Sequence, residues 1–551
     1  MQNYLMTIAL GPVQEFIAAA RRTADLSAGS KLLVNLATHL AKWLQNEHHA
    51  ELIFPANTQT GAPNKLLFTV SGEPHKIAHA AREEAHQYLR EQWDKCAKSL
   101  PPAVQSLLDI ELVNWQLKNF LEFYAAWVPL NGDYRQARTR LEQLLAGRKS
   151  LRDFKQPPLN PKRPKSPLDP SMDSAFKTEA HGDGFRAPEQ AKSAPLRLKP
   201  RETLDAISII KRVSGGRGVP STREMAFRAI EHVLPQEACD AYRALQDWQD
   251  RLGVDDLSDL VYQANFRRLC EERGLLQEDE INEQQMGEIC AYASKIQRAL
   301  REKGLSEELL SYYAILAADG DRMGATLDAL ESVDEHRRFS RQVDEFAKLV
   351  PPIVEAHKGF PVYCGGDDVL ALLPVNYALA CAHKLQETFR SCMRAVAPQD
   401  TPPPTLSAGI AIVHAKENLQ VALEWARAAE KHAKETRNAL AVARYPRSGA
   451  MNRARTPWER FEEWGFWENA FRKGLADALP YELRQLARDY CKLKPRADIL
   501  RGEALRVLER KEKPQSDIAI PDWVQTVDDL CALSELMLIA RFLADYPEVG
   551  A

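Results

Sequence analysis

The chain has 551 residues, 45% hydrophobic and 27% charged, an ordinary globular balance with length for three or four domains of roughly 100–200 residues each. Lys and Arg number 73 against 76 Asp and Glu, so a net charge of −3 excludes a polybasic protein that coats nucleic acid by charge alone, though not a local basic groove. No segment approaches the roughly 18 apolar residues of a membrane span, so no membrane partner is expected. The nine cysteines form no CxxC pair. They give no sign of a zinc knuckle or a disulfide framework, and an odd, unpaired set fits a reducing cytoplasm.

In chain order, residues 4–10 (YLMTIAL) read as a strand closed by Gly11-Pro12. A long helical pattern is predicted from Val13 to about Trp43, with Pro12 suited to its first turn. Strands follow at Glu51–Pro55 and Lys65–Val70, a helix over His75–Leu100, and a strand over Phe120–Val128. The order β-α-β-β-α-β is that of a ferredoxin-like unit. Residues 157–170 hold six prolines and cannot form a regular element. Basic residues crowd there (Arg148, Lys149, Arg152, Lys155, Lys162, Arg163, Lys165), as a solvated linker or as a phosphate-contacting or partner-docking segment. A mainly helical stretch runs from about 200 to 305.

The early pattern then returns. Tyr312–Ala318 is a strand, and Asp334 is placed to cap a helix with apolar positions Phe339, Val343, Phe346, Val350 and Ile353. Phe360–Cys364 and Val369–Leu373 are strands joined by Gly365-Gly366-Asp367-Asp368. A helix over Tyr377–Arg394, a strand over Thr405–His414 and a helix over Leu419–Thr436 complete a second unit. The tail after Pro457 reads as helical, with Trp458, Trp464 and Trp467 in its core.

Two acidic clusters carry the chemistry: Asp319-Gly320-Asp321 and the Gly365–Asp368 hairpin. In a β-α-β-β-α-β sheet the first and third strands are adjacent and antiparallel, so Asp319 should end beside Asp367 and Asp368. Crowded carboxylates raise one another's pKa unless a cation holds them. Magnesium, or manganese, is the natural cation, bound by one or two carboxylates plus substrate phosphates. Gly320, Gly324, Gly365 and Gly366 would let a bulky anionic ligand approach the backbone. Such a set suits two-metal nucleotidyl transfer.

Tyr363-Cys364-Gly365-Gly366-Asp367-Asp368-Val369-Leu370-Ala371 resembles the active hairpin of palm-type cyclases. Further motifs narrow the likeness: Gly11-Pro12-Val13-Gln14-Glu15-Phe16-Ile17, Ala20-Arg21-Arg22, Ala28-Gly29-Ser30, Glu202-x-Leu204 with Lys211-Arg212, Asp319-Gly320-Asp321-Arg322-Met323-Gly324, Ser407-Ala408-Gly409-Ile410 and Arg447-Ser448-Gly449. Together they resemble the large subunit of type III-B CRISPR RNA-guided effector complexes. The resemblance implies an α+β chain: a first, degenerate ferredoxin-like palm (1–150), a Pro-rich connector and helical insert (151–305), a second palm with the GGDD site (306–450) and a C-terminal helical bundle (451–551). It also implies ATP as substrate, cyclic oligoadenylate messengers as product, and other protein subunits with guide and target RNA as partners, with Asp367 and Asp368 as catalytic residues and Asp319, Asp367 and Asp368 as metal ligands or their immediate electrostatic supports. A catalytically silent scaffold and a free-standing cyclic-dinucleotide cyclase are the alternatives.

The chain departs from the family in several places. It has no His-Asp dipeptide, so no nuclease domain is expected. The Pro-rich Lys165-Ser166-Pro167-Leu168 holds no cysteine where relatives carry a zinc site. Ala433-Lys434-Glu435-Thr436-Arg437-Asn438 is one residue short of Ala-Lys-x-x-Gly-Arg-Asn, with Lys434 or Lys431 as the triphosphate ligand. The first hairpin, Ala56–Asn64, has no acid, so one metal centre is expected, with the first palm as a supporting wall. Gly11 and Ser30 are read as a tight turn and a helix cap, with contact to the nucleotide as the alternative.

Overall fold

The computed structural model describes residues 2–59, 61–151, 162–177, 188–191, 195–199, 202–216, 218–252, 282–396, 402–493, 495–510 and 518–549. Its first sheet has strands β1 (Asn3–Gly11), β2 (Glu51–Phe54), β3 (Lys65–Ser71) and β4 (Glu122–Pro129), in the order β2-β3-β1-β4 with antiparallel neighbours. Helices α1 (Gln14–Ala18) and α2 (Thr23–His48) join β1 to β2. Helices α3 (Pro74–Ser99), α4 (Pro102–Gln105) and α5 (Ile110–Phe120) join β3 to β4. The central strand β1 is buried on both faces: Met6, Ile8 and Leu10 meet the helices, while Leu5 and Ala9 meet α6 (Tyr134–Ser150).

The single helix expected from Val13 is broken between α1 and α2. Lys211, far along the chain, donates to the Phe16 and Ala19 carbonyls at 2.7 and 2.6 Å, satisfying groups that the end of α1 leaves open. Ser30, expected as a cap, is buried inside α2.

The Pro-rich connector is packed from Lys162 onward. Arg163 pairs with Asp109 at 2.7 Å, Lys165 with Asp173 at 2.5 Å, and the Ser166 hydroxyl donates to Asp205. These pairs hold the segment against its neighbours although the Lys165 side chain is still 43% exposed, while Arg152 and Lys155 lie outside the described residues. Helices α7 (Ala206–Ser214), α8 (Thr222–Arg228), α9 (Gln236–Leu252) and α10 (Glu283–Glu302) follow.

The second sheet has β5 (Tyr312–Asp321), β6 (Phe360–Gly365), β7 (Asp368–Leu373), β8 (Thr405–His414), β9 (Ala439–Tyr445) and β10 (Asn452–Pro457), in the order β10-β9-β8-β5-β7-β6. Helices α11 (Met323–Ala329), α12 (Val333–Ala356), α13 (Ala378–Arg394) and α14 (Leu419–Lys434) connect them. Ser332, not Asp334, caps α12, its side chain accepting from the Glu335 N–H. Strands β9 and β10 are absent from the sequence reading. The sheet thus continues past residue 450, the expected start of the helical bundle, whose helices are α15 (Glu462–Arg472), α16 (Leu479–Tyr490), α17 (Ala497–Glu509) and α18 (Val527–Ala544). Trp458, Trp464 and Trp467 are buried, as expected.

Side chains alternate along β5. Tyr312, Ala314, Leu316 and Ala318 enter a core with α12, α13 and α18, whereas Tyr313, Ile315 and Ala317 enter one shared with the first sheet's helices. The two sheets are therefore joined by a common apolar core. Arg337 of α12 adds bonds to the Leu52 carbonyl (3.0 Å) and to Glu51 (2.9 Å).

On the far side of α2, Arg212 is enclosed by Asp25 (2.9 Å) and Glu202 (2.9 Å), all three nearly fully buried. The motif residues Glu202, Lys211 and Arg212 thus pin α7 beneath α2. Burial alone would raise the Glu202 carboxyl, but Arg212 holds it below its usual value. Arg212→Met would strand two buried carboxylates, and a loss of about 3–5 kcal/mol is expected, read as a lower thermal midpoint. The Glu202 share of this stability is present above the unfolded value of about 4.3 and disappears as pH falls through the depressed folded value. An unchanged midpoint at neutral pH would show that these charges contribute nothing.

Candidate functional site

β5 pairs with β7 through Ala318↔Val369, which sets Asp319 beside the hairpin between β6 and β7. Gly365 pairs with Asp368, leaving Gly366-Asp367 as a two-residue turn. Gly366 has φ +79°, a conformation glycine adopts without steric penalty. The turn lies between the two halves of the chain: a Cβ at Gly366 would lie 3.2 Å from Val343 of α12 and 3.9 Å from the Phe54 ring.

Alternation then divides the acids. Leu370 and Leu372 of β7 share a core with Ile315 and Ala317 of β5, so Asp368 and Asp319 share that sheet face. Asp367 leaves it. Its carboxylate lies against Gly320, where an added Cβ would come within 2.7 Å of Asp367 Oδ2 and of Met323. Gly365 lies under the Tyr363 ring, and Gly324 alone of the four expected glycines faces open space. Asp321 is buried and locked, accepting from Thr405 Oγ1 (2.8 Å), Ser407 Oγ (2.9 Å) and the Asn438 N–H (2.9 Å).

Helix α14 carries the expected Lys434 and adds two residues that the sequence reading missed, Arg427 and Glu430. A Cβ at Gly409 would lie 2.0 Å from the Glu430 backbone nitrogen, so only glycine lets α14 pack this closely on β8. Arg427, Glu430 and Lys434 follow at helical spacing. Lys434 Nζ pairs with Asp319 and lies 3.5 Å from Glu430. Arg427 crosses to α1, donating to the Gln14 carbonyl at 3.2 Å. Asp368, Tyr363, Arg427 and Glu430 enclose about 30 Å³ against Val13, Gln14 and Ile17. That space holds a water-sized group, whereas ligand pockets run to roughly 300–1,000 Å³. Asp319 and Lys434 lie beside it and are each 31% exposed.

Burial and the neighbouring Glu430 push Asp368 up to about 7, with Arg427 opposing. Burial pushes Asp367 to about 6, and raises Glu430. Burial and Arg437 lower Lys434. Among the described residues no three His, Cys, Asp or Glu side chains are gathered as a metal cage. The expected trio of Asp319, Asp367 and Asp368 is not brought together, because Asp367 turns to the other face. Asp319 and Asp368 remain a donor pair of the kind that binds magnesium together with substrate phosphates.

The raised Asp368 value means that the folded chain binds a proton more tightly than the unfolded chain between about pH 4 and 7. Its destabilising effect is full above pH 7 and fades toward pH 4. Asp368→Asn is therefore expected to raise the thermal midpoint more at pH 8 than at pH 5 in a scanning-fluorimetry series. An equal gain at both would refute the burial argument.

The family described as Cas10/Cmr2, second palm domain, matches residues 312–441, and that described as CRISPR-associated protein Cmr2, N-terminal, matches residues 5–61. The CRISPR system Cmr subunit Cmr2 of Pyrococcus furiosus is 30% identical over 257 residues, 42% of this chain, and the match spans 28% of that relative's length. In fold, the chain is similar to a type III-B Cmr-beta chain in the apo state (TM-score 0.64, 12% identity, 98% of this chain and 81% of that one). The same assembly bound to cognate target RNA gives 0.62, at 12% identity over 98% and 83%. It is also similar to the Csm1-Csm4 cassette in complex with one ATP and with cA4 (TM-scores 0.52 and 0.50, each 14% identity over 98% of this chain and 70% of that chain). Two Cmr2-family matches in chain order, one on the first sheet and one on the sheet that carries the GGDD hairpin, make this chain similar to the Cas10/Cmr2 large subunits of type III-B CRISPR complexes.

Proposed function

We propose that this chain binds ATP beside Asp319 and Asp368 and joins adenylates into cyclic oligoadenylates when its complex meets target RNA. The observation that carries this reading is the shared sheet face of Asp319 and Asp368 at the GGDD hairpin, with Lys434 next to them. The fold neighbours support it: a Csm1-Csm4 cassette has been solved with ATP and with cA4, and Cmr-beta with cognate target RNA.

The residues divide the work by charge. Asp319 and Asp368 would hold Mg²⁺ or Mn²⁺, which when bound makes a 3′-hydroxyl more acidic and offsets charge building on an α-phosphate. Lys434 and Arg427 offer positive charge to triphosphate oxygens. Val13, Gln14 and Ile17 form the wall from the first half of the chain, and the Arg427–Gln14 contact must give way for a nucleotide to reach Asp368. Asp367, facing Gly320, supports the turn and acts on the reaction from behind it. Other protein subunits, with guide and target RNA, are the partners that would drive this opening.

The narrow space at Asp368 and the ammonium already on Asp319 favour a second reading, a silent scaffold in the same complex. The two are separated by incubating the assembled, target-bound complex with ATP and Mg²⁺ or Mn²⁺ and analysing nucleotides by mass spectrometry. Cyclic adenylates are expected, and chelation with EDTA should stop them. Asp319→Asn and Asp368→Asn should each reduce product by ~100-fold or more, and Asp367→Asn by less. No product under any condition makes the chain a scaffold. Product from the isolated chain without RNA makes it a free-standing cyclase.

A further inference from the structure

Lys434 is shared between two carboxylates. Its Nζ pairs with Asp319 on β5 and lies 3.5 Å from Glu430, one turn earlier on its own helix. Asp319 and Lys434 are each about a third exposed and Glu430 a fifth. The Asp319 carboxylate can therefore be reached from solvent, but the ammonium already stands against it. The backbone of Glu430 is fixed by the close seat of α14 on Gly409. The ammonium can pass from Asp319 to Glu430 by side-chain rotation alone, with no movement of helix or sheet.

A divalent cation on Asp319 would repel that ammonium strongly at such range. Arg427 is engaged with the Gln14 carbonyl and sits on the far side of Glu430 from Lys434 along α14. Glu430 also faces Asp368 across the cleft, and a cation on Glu430 would relieve their mutual repulsion.

We propose that Lys434 and a divalent cation compete for Asp319, and that Glu430 is the positioning residue that receives the Lys434 ammonium when the cation binds. This rests on the reading that Asp319 takes a metal. The ligand-free chain thus neutralises its own acidic site, and a nucleotide's phosphates, by also drawing Lys434 away, would strengthen metal binding.

The test is Mn²⁺ affinity of the full chain without nucleotide, read by electron paramagnetic resonance, independent of any product. Lys434→Met should tighten Mn²⁺ binding by roughly tenfold, within the usual range of coupling between sites. Lys434→Gln repeats the measurement with a polar side chain should the methionine variant fold poorly. Glu430→Gln should weaken binding by a few-fold (about 1 kcal/mol or less on the tenfold-per-1.4 scale), and this loss should vanish in the Lys434→Met background. Asp319→Asn should abolish the site. If Asp319→Asn abolishes binding but Lys434→Met and Lys434→Gln leave it unchanged or weaker, the competition is refuted while the metal reading stands. If Glu430→Gln weakens binding equally in the Lys434→Met background, Glu430 is a direct ligand and its assigned role is wrong. If Asp319→Asn leaves Mn²⁺ binding intact, the metal reading itself fails.

Discussion

The register of β5 on β7 is the constraint from which the site follows. Ala318 opposite Val369 brings Asp319 level with the hairpin, and strand alternation then assigns each acid to a face. Asp319 and Asp368 face the first half of the chain. Asp367, in the turn, is directed against Gly320. A slip of one residue would exchange these assignments and drive Ile315, Leu370 and their neighbours out of the core. The same apolar contacts that hold the sheet together therefore hold the carboxylates in place.

The site lies at a seam. One wall is α1 from the first half, another is α14 from the second, and the floor is β5 and β7. Two devices keep those walls close. Gly409 removes the Cβ that would hold α14 away from β8, and Lys211 fastens the broken end of α1. The buried Arg212 pair with Asp25 and Glu202 then braces α2 and α7 behind the α1 wall. A carboxylate cluster beside an apolar core opposes folding, as the raised values of Asp368 and Asp367 show. Such local conflict between stability and charge is common where a fold carries chemistry. Lys434 offsets part of it.

The sequence by itself determined the first four strands of each half and the long helices between them, the hairpin at Gly365–Asp368 and the proximity of Asp319 to it. Those features follow from local periodicity, turn residues and the antiparallel rule, all of which act over short stretches. The Thr405–His414 strand and the buried tryptophans were legible for the same reason. Strands β9 and β10 were not, because Ala439–Tyr445 is a short apolar run directly after a helix, and strand and helix segments of that length share a pattern.

Tertiary structure decided the rest. Glu202 and Arg212 stand in the sequence only as motif residues and Asp25 not at all, and only their packing reveals them as buried partners. The break after α1 depends on a lysine nearly two hundred residues away. Arg427 and Glu430 belong to the site because a glycine on another element lets their helix descend onto the sheet. Asp367 is separated from Asp368, its neighbour in sequence, because a tight turn sends adjacent side chains to opposite faces. Burial and long-range approach are properties of the assembled chain, and local patterns do not encode them.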